Sequence, residues 1–177
     1  MILQQYKIVF GGTMGAGKSA AIKTLSDIPV IATEAVNTDT EAHAKLLTTV
    51  GIDYGEIHLE DGIKIGLYGT PGQDRFDFMW PLVCKGAIGT VILIDHTRPE
   101  RLHDLEFYLN AFQAYGSNIV VGITHLDQQD DQMLKIYRDW MSIHGCCYPL
   151  FAADARQKDD VLLMIESLIA SVEIQTA

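Results

Sequence analysis

Gly12-Thr13-Met14-Gly15-Ala16-Gly17-Lys18-Ser19 decides how this chain is read. The octapeptide fits G-x-x-x-x-G-K-[S/T], a glycine-rich turn whose backbone N–H groups curl around phosphate oxygens. At this composition a chance match is expected in roughly one chain of this length in two hundred. The surroundings fit as well. Residues 7–10 are β-branched and aromatic, as in a strand, and Lys18 to Leu25 has the pattern of a helix stopped near Pro29. A helix starting at a glycine turn adds the positive end of its dipole to an anion site. Lys18 is placed to reach the β- and γ-phosphates of a nucleotide, and Ser19 to offer its hydroxyl to Mg²⁺. Gly12, Met14, Gly15, Ala16, Gly17 and Ala20 complete the expected phosphate-binding set.

Outward from this loop, strand-like runs alternate with helix-like ones. Residues 54–59 and 63–68 alternate around Glu60-Asp61-Gly62 and predict an antiparallel hairpin. Residues 90–94 and 119–123 are continuous apolar runs, as in strands covered on both faces. Residues 148–151 read as a short strand. Helical patterns occupy 100–115 and 129–144, and Val161, Ile165, Leu168, Ile169 and Val172 share one face of a last helix. The expectation is one α/β domain over residues 1–177, with a mostly parallel six-stranded sheet between helices and one antiparallel strand.

Composition narrows the function classes. With 177 residues and 48% hydrophobic content, the chain fits one folded domain. A net charge of −10 argues against a duplex-DNA binder or a polybasic membrane-surface protein. The three cysteines, Cys84, Cys146 and Cys147, have neither redox nor zinc spacing and read as thiols of a reducing compartment. No signal peptide, transmembrane run or lipidation motif is legible, so a cytoplasmic, unanchored protein is expected. Trp80, Phe107, Phe112 and Trp140 read as packing, and His96, His103 and His144 form no metal pattern. Asp95-His96 ends a strand-like run, a place that could suggest catalysis.

Thr124-His125-Leu126-Asp127 follows the second buried run. A carboxylate at the C-terminal end of a strand sits where open α/β sheets bind ligands. Asp127 can accept from both guanine N1–H and the guanine 2-amino group. Adenine lacks that amino group and presents an acceptor at N1, so such a site rejects it by a large factor.

At these residues the sequence resembles the Ras-like small GTPases, whose guanine motif reads Asn-Lys-x-Asp. Asp127 matches, while Thr124 and His125 depart from it. In the family the Asn ties this loop to the phosphate loop and the Lys flanks the base. Asp154-Ala155-Arg156 stands where the family has Ser-Ala-Lys, and only Ala155 matches; its N–H is expected at the guanine O6, with Arg156 beside the base. The resemblance spans the chain in the family's order and implies a P-loop NTPase fold, a Ras-like three-layer α/β/α sandwich, binding GTP/GDP and Mg²⁺.

Gly69-Thr70-Pro71-Gly72-Gln73-Asp74-Arg75-Phe76 is similar to the family's switch II pattern Asp-x-x-Gly-Gln-x-x-Phe. By that likeness Gly72 points its N–H at the γ-phosphate and Gln73 orients the attacking water. The departure is Gly69, where most of the superfamily carries the Asp that holds a water on Mg²⁺. Residues 48–54 look like switch I, with Thr49 as the Mg²⁺ ligand and γ-phosphate sensor and Thr48 as the adjacent alternative. The polar stretch 31–47 is read as a long connection. Arg75 is placed to touch a partner or to swing into the site. Met14, where Ras-like enzymes usually carry Gly, is expected to crowd Gln73 or an incoming arginine. The resemblance is nearest to a bacterial branch, the MglA-type and signal recognition particle receptor β-like GTPases. It implies a switch with weak intrinsic hydrolysis, with Gln73, Lys18 and Thr49 as catalytic residues. Its partners would be a regulator, such as a Roadblock/LC7-type protein, and an effector. Nucleic acid is not among the expected partners. A pseudo-GTPase scaffold that binds without useful hydrolysis is the runner-up, and a P-loop kinase or ATPase is a third reading, disfavoured by Asp127 and by the lack of an Arg-rich segment.

Overall fold

The computed structural model describes residues 5–35, 50–59, 62–72, 74–127 and 131–176. Strand β1 (Gln5–Gly12) leads through the glycine loop into α1 (Lys18–Leu25). Then come β2 (Ile31–Ala35), β3 (Val50–His58) and β4 (Lys64–Gly69). A 3-10 segment (Asp74–Met79) and the short α2 (Trp80–Cys84) precede β5 (Gly89–Asp95). The alternation continues with α3 (Arg101–Gln113), β6 (Ile119–Thr124), α4 (Asp131–Ile143), β7 (Leu150–Ala152) and α5 (Lys158–Thr176).

The strands form one sheet in the order β2-β3-β4-β1-β5-β6-β7. β3 is antiparallel to both neighbours, and the other pairings are parallel. The fold is thus the expected Ras-like α/β architecture with a single reversed strand, but the sheet has seven strands rather than six. Stretch 31–35, read as the start of a polar connection, is an edge strand running from the Ile31↔Tyr54 pair to Ala35↔Val50. Its backbone bonds hold it there, and Ile31 is left 52% exposed. An edge strand is held by backbone pairing along one side and needs no apolar alternation, so hydropathy does not reveal it.

Residues alternate across the central strands. Ile8, Phe10, Val91 and Leu93 face α1 and α5, packing on Ile22, Leu25, Val161, Met164 and Leu168. Val9, Ile92, Ile94, Val121 and Ile123 face the other layer, against Leu105, Tyr108, Phe112 and Tyr137. Burial on both faces is why these strands read as continuous apolar runs. Trp80 stacks on Phe112 with ring centroids 5.0 Å apart, and both are buried. Phe107 meets the Trp80 edge from the surface, and half-buried Trp140 stacks on His144. Cys84 is buried; all three cysteines are free.

Candidate functional site

The parallel strands deliver their C-terminal ends to one rim of the sheet, and the glycine loop closes over it. At Gly12 (φ +140°) a Cβ would lie 2.3 Å from the Leu93 carbonyl oxygen, so only glycine lets β1 turn this close to β5. At Gly17 (φ +106°) a Cβ would lie 2.8 Å from Ala155 Cβ, which shows how tightly the Ala155 loop seats on the start of α1.

Lys18 Nζ donates to the carbonyls of Gly12 (2.6 Å) and Thr13 (2.7 Å) and is 8% exposed. Burial pushes its pKa down to about 8, and the Asp53 carboxylate draws it partly back. A buried ammonium held mainly by carbonyl dipoles is short of negative charge, which is what a phosphate supplies. The buried Thr13 hydroxyl has no hydrogen-bond partner among the described residues. Both features fit an anionic ligand in the loop.

The base side is tied to the same loop by two side chains. Thr124 Oγ1 donates to the Ala16 carbonyl at 2.8 Å, with the Ile94 carbonyl at 3.3 Å. It therefore makes the tie expected of the family's Asn, from a shorter side chain. His125, in the left-handed region at φ +57°, donates from Nε2 to the Gly15 carbonyl at 2.7 Å. Its Nε2 also lies 3.9 Å from Asp95 Oδ2. Asp95 itself accepts at Oδ1 from the Thr97 N–H and hydroxyl, as a turn residue does.

Asp154-Ala155-Arg156 forms a self-bonded turn. Asp154 Oδ1 accepts from the Arg156 N–H and Nε, and Oδ2 from Nη2 at 2.7 Å. These bonds hold the Asp154 carboxyl at about 2. Arg156 thus lines the site with its guanidinium turned onto Asp154. Ala155 is buried, and its carbonyl accepts from Thr24 Oγ1.

A cavity of about 670 Å³ joins these pieces. It is lined by residues 14–20 of the loop, Asp53, residues 70–72, Thr124 to Asp127, and residues 153–156. That volume lies in the range of small-ligand sites. Gly72 reaches the cavity with its carbonyl accepting from the Met14 N–H at 3.2 Å. Met14 itself is 68% exposed at the cavity mouth. Thr49 and Gln73 lie outside the described residues, as does the Arg75 side chain.

Asp53, on β3, is the residue that sequence reasoning missed. The Ser19 hydroxyl donates to its Oδ2. A hydroxyl and a carboxylate are the oxygen donors that a hard divalent cation takes, so the pair fits Mg²⁺ beside a bound phosphate.

Fold and site together define a P-loop protein of Ras-like architecture. The chain belongs to the family described as "Conserved hypothetical ATP binding protein", whose model matches residues 10–168. It is similar to Ras-related protein Rab-18-B of Danio rerio, at 28% identity over 117 residues, covering 64% of this chain and 51% of that protein. It is also similar to GTP-binding protein YPTM2 of Zea mays, at 24% identity over 183 residues, covering 97% of this chain and 82% of that protein. The chain thus spans about half the length of the zebrafish relative. Among the described residues, no helix is long and apolar enough to cross a membrane.

Proposed function

We propose that the chain is a guanine-nucleotide switch that hydrolyses GTP slowly to GDP and inorganic phosphate. The observation that carries this reading is the joining of Asp127 to the phosphate loop in one cavity through Thr124 and His125. The spacing of base loop and phosphate loop is fixed by those bonds, so a purine bound in the cavity meets the Asp127 carboxylate. Guanine offers it two donors and adenine an acceptor. The family description names ATP and the maize relative's name GTP, so the base is the decisive measurement. Titration of the purified protein with GTP, GDP and ATP, each with and without Mg²⁺, is expected to give binding at least tenfold tighter for the guanine nucleotides. ATP bound as tightly as GTP refutes the reading.

In this mechanism Lys18 and the loop N–H groups neutralise phosphate charge, and Ser19 with Thr49 would hold the cation. Gln73 orients water for attack on the γ-phosphorus. Bound Mg²⁺ supplies further neutralisation of the phosphate oxygens. Turnover alone is slow, since Met14 stands at the mouth and position 69 lacks its acid. A protein regulator, of which a Roadblock/LC7-type protein is the model, speeds it. Exposed Phe78 and Leu82, just beyond switch II, support such a docking surface. The protein acts in the cytoplasm, within the bacterial MglA-like branch.

A second reading, a pseudo-GTPase scaffold, is favoured by the Met14–Gly72 bond. It occupies a phosphate-loop N–H with a switch II carbonyl. Single-turnover hydrolysis by the natural chain and by Met14→Gly separates the two. Measurable hydrolysis that rises in the variant supports the switch, and none in either supports the scaffold.

A further inference from the structure

The acid absent from position 69 has a counterpart on the neighbouring strand. Gly69 ends β4, and Asp53 stands across from it on the antiparallel strand β3. A Cβ built on Gly69 would lie 3.4 Å from Asp53 Cβ and 3.6 Å from Asp53 Oδ2. Both positions face α1, since the same Cβ would be 3.1 Å from Ile22 Cδ1. The Asp53 side chain thus lies directly beside the place a residue-69 side chain would take, and its carboxylate accepts from Ser19, the first residue after the phosphate-loop lysine. It lines the same cavity and is close enough to act electrostatically on Lys18.

A carboxylate in that place is out of keeping with a site for an anionic phosphate unless a cation stands between them. We propose that Asp53 is the positioning carboxylate of the Mg²⁺ site, supplied from β3 in place of the acid that β4 lacks. The proposal rests on the nucleotide reading above. Asp53 holds the Ser19 hydroxyl in the ligand-free protein, and with cation and nucleotide present its carboxylate would be offered to the metal site instead. A side chain at position 69 would stand in ordinary van der Waals contact with Asp53, so either position can carry the carboxylate.

The test is the release rate of a fluorescent guanosine diphosphate as free Mg²⁺ is varied from micromolar to ten millimolar and then removed with EDTA. For the natural chain, release is expected to accelerate at least tenfold on metal removal. In Asp53→Asn, the Mg²⁺ midpoint is expected to rise tenfold or more, while the EDTA rate stays within twofold of the natural one. Adding Gly69→Asp to Asp53→Asn is expected to bring the midpoint back at least threefold. A residue that only braced Ser19 would lower the thermal midpoint of the ligand-free protein without moving the Mg²⁺ midpoint. That result, or release from the natural chain indifferent to Mg²⁺, overturns the assignment and leaves nucleotide binding intact. A natural chain that binds no guanosine diphosphate overturns the nucleotide reading itself. Should Asp53→Asn fail to fold, Asp53→Glu takes its place. The displaced carboxylate is expected to shift the midpoint at least threefold, and an unchanged midpoint overturns the proposal.

Discussion

Replacing Thr124 by Val removes one oxygen and keeps the shape, so it isolates the bond between the base loop and the phosphate loop. Thr124 is 2% exposed and its hydroxyl donates to the carbonyl of Ala16, a residue with no exposed surface. Leaving a buried acceptor unpaired costs about 1–3 kcal/mol, or roughly 5- to 150-fold in the unfolding constant. In a chain of this size the thermal midpoint should fall by about 2–12 °C. The second acceptor, the Ile94 carbonyl at 3.3 Å, adds little at that length. Thr124→Ser keeps the hydroxyl and drops only the methyl, which lies 3.9 Å from where a Gly17 Cβ would stand. Its cost should stay below about 1 kcal/mol. Urea unfolding of the three proteins, without nucleotide and with saturating guanosine diphosphate, reads the stability, and the same samples give the nucleotide release rate. Val should unfold earlier and release faster, with Ser near the natural protein. Equal midpoints for Val and the natural chain, or a larger loss for Ser than for Val, would show that the bond does not hold the two loops together.

Lys18 gives nucleotide affinity a pH dependence of known sign. In the ligand-free protein burial holds it at about 8, and a bound phosphate favours the charged form and raises that value. Affinity should therefore be flat from pH 7 to about 8, then fall by up to about tenfold per unit above it. A flat profile to pH 9 contradicts this. The same shift makes the ligand-free protein gain stability as pH rises from about 8 towards 10.4, since there the unfolded chain binds the extra proton. Gly15→Ala has open space around its Cβ but φ +82°, and thermal unfolding should report a loss of about 1–2 kcal/mol. Gly12→Ala adds a 2.3 Å clash with the Leu93 carbonyl and should lose about 3 kcal/mol or more, so equal losses would be inconsistent with these backbone positions. Phe112→Ala opens the space beneath Gly11 and Trp80 and should cost about 3–5 kcal/mol in denaturant unfolding.

The parts of the fold legible in the sequence are those whose burial is complete. β5 and β6 lie between two helical layers, so their runs are apolar without interruption. The α1 limits follow from Gly17, where a positive φ starts the helix, and from the extended Ser26 that ends it. β2 and α2 were hidden for different reasons. β2 is an edge whose stability comes from backbone pairing. α2 spans five residues, too few for a 3.6-residue period to show. Arg156 matched a base-site position by order along the chain, yet its guanidinium is spent on Asp154, two residues away.

The phosphate loop, the α/β order and the position of Asp127 after a strand are written in local sequence. Each depends on residues adjacent in the chain or on a local period, and glycine torsions and hydrophobic alternation are local properties. That the Thr124 hydroxyl reaches the Ala16 carbonyl and that His125 bonds to Gly15 follow from the folded arrangement alone. It alone decided, too, that the carboxylate beside Ser19 belongs to Asp53 rather than to position 69. Those pairings join residues 34 to 110 positions apart, and they exist because β3 lies antiparallel beside β4 and β6 ends beside the glycine loop. Strand register, which no single stretch of sequence encodes, sets which oxygen meets which hydrogen.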